Sequence, residues 1–224
     1  MYKDNLEYIR ELEKLIAYFF KPLRNIPFRI AIKAISGYDV IPFDKNNPDD
    51  IQLLDDLIKA VKIAAKNANQ KGIFTRRENE VGNKIEIFVL EALNEIGLKA
   101  DRPKTKAGKR KVGGYPDIFL LDRKGRPNYI ECKTYNEQTY QSNQRSFYFS
   151  PPSKRGEFKV IYDARHFIVS FKIEKLIKQG KTVFIPVYWK IFSTNNLTVQ
   201  IKHEFNSTNK EMYKHEDLLA EGSF

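Results

Sequence analysis

Gly114-Tyr-Pro-Asp-Ile-Phe-Leu-Leu121, followed shortly by Tyr129-Ile-Glu-Cys-Lys-Thr134, sets two apolar runs close together and loads each with an acid. Both read as strands, Asp117–Leu121 and Asn128–Thr134, with Asp122-Arg-Lys-Gly-Arg126 as the turn between them. Side chains alternate along a strand, so Glu131 and Lys133 point one way while Ile130, Cys132 and Thr134 point the other. If the two runs pair as a hairpin, Asp117 comes up to Glu131 at one edge of the sheet. Two carboxylates and an ammonium then share a few ångströms.

A solvated cross-strand pair of Glu131 and Lys133, with Asp117 capping its strand, is the simpler reading and would contribute little. Against it, the Pro-Asp step, the strand alternation and the charge of the chain all agree on a site. Adjacent carboxylates repel, and a hard divalent cation relieves the repulsion. Magnesium takes one or two carboxylates together with waters and phosphate oxygens, which suits a phosphodiester. A neighbouring lysine can orient or deprotonate the attacking water and offset charge developing on the phosphate.

Composition points the same way. Lys and Arg number 39 against 28 Asp and Glu, a formal net charge of +11, and the pI is near 9.5. Such an excess favours a polyanion, because cations that neutralise phosphates release condensed counterions. The single cysteine, Cys132, excludes an intrachain disulfide and a zinc finger. His166, His203 and His215 lack zinc-ligand spacing; a structural role is expected for His166, with DNA contact beside Arg165 as the alternative. There is no phosphate-cradling loop ending in Gly-Lys-Ser/Thr, hence no nucleotide cofactor. The charged opening MYKDNLEYIRELEKL is not a signal peptide, and no apolar run is long enough for a membrane span, so a soluble cytoplasmic protein is expected.

Along the chain, Leu6, Ile9, Leu12, Leu15, Ile16 and Phe19 form a helical stripe. Segment 28–43 is mixed. Asn47-Pro48-Asp49-Asp50 is a helix start, a capping side chain followed by proline and two acids, and predicts a helix to about Asn69. Another helix is predicted from Arg77 to Ile96, stopped by Gly97. Residues 101–114 read as a loop. Apolar runs at 160–171 and 182–192 and an alternating run at 197–205 follow. One domain over residues 1–224 is expected: an N-terminal helical part (1–75), a catalytic core (76–135), and a recognition loop with the C-terminal part (136–224).

Pro116-Asp117 followed by Glu131-x-Lys133 resembles the PD-(D/E)XK nuclease superfamily, which includes many type II restriction endonucleases. The resemblance implies an α/β, restriction-endonuclease-like core: a central mixed sheet flanked by helices, with N-terminal helices and C-terminal strands added. It implies that Asp117 and Glu131 hold magnesium, with manganese as a substitute, and that Lys133 serves the nucleophilic water. It also implies an acid from a preceding helix, for which Glu80 and Glu86 are candidates. At 100° per residue, Glu86 lies about 80° from the centre of the apolar face made by Val81, Ile85, Phe88, Val89, Ala92, Leu93 and Ile96, and Glu80 about 160°. Glu86 therefore borders the core and is the preferred acid.

Double-stranded DNA is the expected partner. Arg102, Lys104, Lys106, Lys109, Arg110 and Lys111, with Gly108, Gly113 and Gly114, look like a flexible loop that lies along phosphates. Downstream, Gln141, Asn143, Gln144 and Arg145 have side chains shaped for base edges. A type II restriction endonuclease acting as a homodimer on a palindrome is the favoured function. A junction-resolving or repair nuclease is the alternative, and a non-catalytic DNA-binding protein a more distant one.

Overall fold

The structure is a computed structural model. It describes residues 6–21, 23–75, 80–110, 114–137, 147, 149–150, 157–178 and 180–201. In chain order the elements are α1 (Leu6–Phe19), β1 (Ile26–Pro27), α2 (Phe28–Ser36), α3 (Pro48–Lys71), α4 (Val81–Glu95), β2 (Lys99–Asp101), β3 (Ile118–Leu121), β4 (Pro127–Tyr135), β5 (Arg165–Lys178), β6 (Lys181–Ser193) and β7 (Thr198–Val199). They divide into two compact units, one of residues 27–197 and one of residues 1–26 with 198–224. In the smaller unit α1 follows the predicted stripe. The short strands β1 and β7 pair with each other.

The larger unit is built on a five-stranded sheet ordered β2-β3-β4-β5-β6. Only β4 and β5 run parallel; the other neighbours are antiparallel. The sheet is thus mixed, as the sequence implies, and α3 and α4 supply its apolar cover. Leu53, Leu57, Ala60 and Ala64 recur at helical spacing along α3, as Val81, Ile85, Val89 and Ala92 do along α4. They join Ile118, Leu120, Ile130, Cys132, Phe167, Val169 and Phe171 in one core. Alternation along β4 thereby sends Ile130 and Cys132 inward and leaves Glu131 and Lys133 for the opposite face.

The start of α3 is as its sequence predicts. Asn47 Oδ1 accepts from the N–H groups of Asp49 and Asp50 at 2.9 and 3.4 Å. Asp50 does more than complement the helix dipole. Its carboxylate is fully buried, accepting from Arg165 Nε and Arg126 Nη1, each at 2.8 Å. Burial pushes this carboxyl up, but the Asp44 N–H and the two guanidiniums outweigh that and hold it below its usual value. Arg126 also donates to Asp122 Oδ2 at 2.6 Å, within the β3–β4 turn. The helix start, the turn and the first residue of β5 are thereby one ionic node.

Segment 28–43 resolves into α2, closed by Gly37 at φ +84°, and a stretch that bridges Ala164 through Val40. The short strand β2 has no counterpart among the predicted elements; Asn94, beyond the core of α4, holds it by bonding both backbone groups of Ala100. The run at 160–171 becomes a strand only from Arg165 but continues to Lys178. Of the run at 197–205, Thr198–Val199 is strand and 202–205 lies outside the described residues.

Candidate active site

β3 and β4 pair with Ile118 opposite Ile130, and the ladder reaches one residue further: Asp117 N–H donates to the Ile130 carbonyl at 3.2 Å. That bond turns the Asp117 side chain onto β4, where its Oδ2 accepts the Cys132 N–H at 2.8 Å. Glu131 and Lys133 share a face, and Lys133 Nζ donates to Glu131 Oε1 at 2.6 Å. Glu131 is only 5% exposed, and its second oxygen, Oε2, is buried without a hydrogen-bond partner. The solvated-pair reading of Glu131 and Lys133 therefore does not describe this structure.

The electrostatics are those of a site short of positive charge. Burial, then the nearby Asp117, raises the Glu131 carboxyl despite Lys133. Burial likewise raises Asp117 against the Cys132 N–H and the charges of Lys133 and Lys159. Glu86, half-buried on α4, is pushed up to about 7 by burial and by Asp117. Its helical position thus brings it to the same cluster, whereas Glu80 is exposed. Among the described residues no three His, Cys, Asp or Glu side chains close on one point. Among the described residues a cation would thus meet the two carboxylates of Asp117 and Glu131, with Glu86 nearby, and water and phosphate at its remaining positions. The unpartnered Glu131 Oε2 beside Asp117 fits such an ion. Cys132 does not compete as a nucleophile, because burial and the three carboxylates push its thiol far up.

Two cations emerge that sequence reasoning did not place at the centre. Lys159 is 5% exposed, donates to the Gly114 carbonyl, and bears on both Asp117 and Glu86. It lies 42 positions beyond Asp117 in an irregular stretch, and no local pattern marks it. Arg102, expected among the loop cations, also bears on Glu86. His166, 2% exposed, belongs to the core rather than to a DNA surface. The basic loop is closed rather than open: Lys104 bridges Arg110, Thr105 N–H donates to Lys109, and Gly108 N–H donates back to Thr105. Arg110 pairs with Asp101 at 2.9 Å, while Lys104, Lys106 and Lys109 are exposed. Lys111, Gln141, Asn143, Gln144 and Arg145 lie outside the described residues.

A family model, that of the type II restriction enzyme MjaV family, matches residues 22–216. The chain belongs to this family. Membership makes it a site-specific deoxyribonuclease of a restriction system, the reaction class that defines type II restriction enzymes. Among curated relatives, the type II restriction enzyme MjaV of Methanocaldococcus jannaschii is 39% identical over 230 residues, covering 97% of this chain and 98% of its own length. Among solved structures, tetrameric restriction endonuclease SfiI bound to cognate DNA aligns over 66% of each chain, at 12% identity and a TM-score of 0.39. No helix among the described residues is long and apolar enough to cross a membrane.

Proposed function

We propose that this type II restriction enzyme is a magnesium-dependent nuclease of the PD-(D/E)XK superfamily, with Asp117 and Glu131 as the metal-holding carboxylates. The observation that carries the reading is the buried, unpartnered Glu131 Oε2 beside Asp117, with Lys133 at 2.6 Å from the same carboxylate. When bound, magnesium would lower the pKa of a water and offset charge on the phosphate; manganese is expected to substitute.

The chain's own groups do the rest. Glu131 Oε1 holds the Lys133 ammonium, which is left to orient the attacking water and to face the charge gathering on the phosphate. Glu86, raised by burial and by Asp117, would assist as the helix-borne acid. Lys104, Lys106, Lys109, Arg110 and Lys111 would lie along the DNA backbone, and Gln141, Asn143, Gln144 and Arg145 would read bases. Two copies, one for each strand of a palindrome, are the expected assembly, with residues 76–135 as the catalytic core of each endonuclease domain.

Incubation of phage or plasmid DNA with the protein and magnesium, against excess chelator, tests the reading. Discrete fragments that require the metal and disappear in Asp117→Asn are expected. Cleavage that persists in chelator, or in Asp117→Asn, would overturn it.

A further inference from the structure

Three buried polar side chains on the approach to Asp117 take no part in the chemistry above: Tyr115, His166 and Lys159. The Tyr115 hydroxyl bonds His166 Nδ1. The two rings lie nearly parallel, 14° apart with centroids 5.8 Å from each other. Phe28 closes edge-on against both, at 5.7 Å from each ring. One residue earlier, Lys159 donates to the Gly114 carbonyl. His166 is itself pinned in β5 opposite Tyr129 of β4, so the same strand that carries Glu131 also supports the anchor.

Burial holds the imidazole neutral, down to about 3. The phenol and Nδ1 share one hydrogen bond, and the second ring nitrogen, Nε2, faces the interior. That Nε2 is buried with no partner. An unpaired buried ring nitrogen is a standing cost that a leucine at 166 would avoid. The imidazole is accounted for by what Nδ1 holds.

We propose that Tyr115, seated on His166 and backed by Lys159 at the Gly114 carbonyl, is a positioning residue for Asp117. The anchor fixes the backbone leading into Asp117 and so sets where its carboxylate stands relative to Glu131. Small displacements of a reacting constellation are costly, and Asp117 stands just ahead of β3, bonded to β4 through the Ile130 carbonyl and the Cys132 N–H. This inference rests on the reading that Asp117 holds the metal.

Tyr115→Phe, His166→Leu and their combination test it, by single-turnover cleavage across a magnesium titration and by DNA binding in calcium. Each single variant should cut about tenfold more slowly and need more magnesium for half-maximal rate, with calcium-supported affinity unchanged. The double variant should be no slower than the slower single, because both remove one bond. A merely structural role would lower thermal stability without moving the magnesium midpoint. Should His166→Leu fail to fold, Tyr115→Phe, which removes one oxygen, carries the test alone. Wild-type cleavage and magnesium dependence in Tyr115→Phe, or additive losses in the double variant, overturn the proposal. Asp117→Asn is assayed alongside. An inactive Asp117→Asn with an unaffected Tyr115→Phe removes the positioning role alone, whereas an active Asp117→Asn removes the metal reading beneath it.

Discussion

Lys133 Nζ stands 2.6 Å from Glu131 Oε1, two residues along the same face of one strand. This spacing lets a nearly buried carboxylate keep a cation without calling on another element. It also commits one oxygen of Glu131 to the lysine and leaves the other without a hydrogen-bond partner.

Lys133→Ala should therefore abolish cutting, by at least about 10²-fold, while DNA binding in calcium persists. Affinity comes mainly from backbone contacts elsewhere. Gel-shift in calcium and cleavage in magnesium, run on one preparation, separate the two steps. Loss of both together would make Lys133 a fold or binding residue instead.

The raised Glu86 carboxyl gives a stability signature with a defined sign. Between its unfolded value, near 4.5, and its folded value of about 7, the folded state holds more protons than the unfolded one. Its contribution to stability is thus greatest at acid pH and is lost as pH rises through that window. In chelator, Glu86→Gln should match the wild type near pH 4.5 and become the more stable protein by pH 7.5. Comparing the two proteins cancels the opposite dependence of His166, whose depressed value makes it lose stability as pH falls below about 6.5. Denaturant midpoints at several pH values measure the gap; a gap constant with pH would contradict the assignment.

Lys106→Ala with Lys109→Ala should weaken binding to cognate and scrambled duplexes alike. The salt slope should become shallower by nearly one for each phosphate that a removed lysine neutralises. Arg145→Ala should instead cost on the order of 1–3 kcal/mol on the cognate site and little on random DNA. Equal weakening on both duplexes would move Arg145 to the backbone.

Asp50→Ala should destabilise the protein by about 3–5 kcal/mol, since it strands the Arg165 guanidinium in a buried setting and leaves Arg126 to Asp122. Thermal or chemical denaturation reads this directly. A loss below about 1 kcal/mol would mean that water reaches the node once the carboxylate is gone.

The parts legible in the sequence are those set by local patterns. Asn47-Pro48 announces its helix through capping chemistry, and the period-two alternation of β4 puts Glu131 and Lys133 on one face. The angular position of Glu86 on its helix separates it from Glu80. What escapes depends on long-range partners. Asp50 looks like an ordinary dipole-complementing acid until Arg165, 115 positions away, is brought to it. Lys159 owes its place to Gly114, and the shortness of β2 leaves too few residues for a periodicity to appear. The closure of the basic loop rests on backbone bonds between Lys104 and Arg110 that no side-chain pattern encodes.

The parallel pairing of β4 with β5 has a consequence for when the enzyme becomes active during synthesis. A ribosome has delivered Asp117, Glu131 and Lys133 once it passes residue 133, yet β4 then lacks its neighbour Arg165–Lys178. Parallel partners separated by a long connection form late, because the loop must close before any contact rewards it. The Arg165 leg of the Asp50 node arrives with the same strand. The proposed catalytic residues are thus made well before the surroundings that hold them, so a nascent chain released early would carry the motif but not the nuclease.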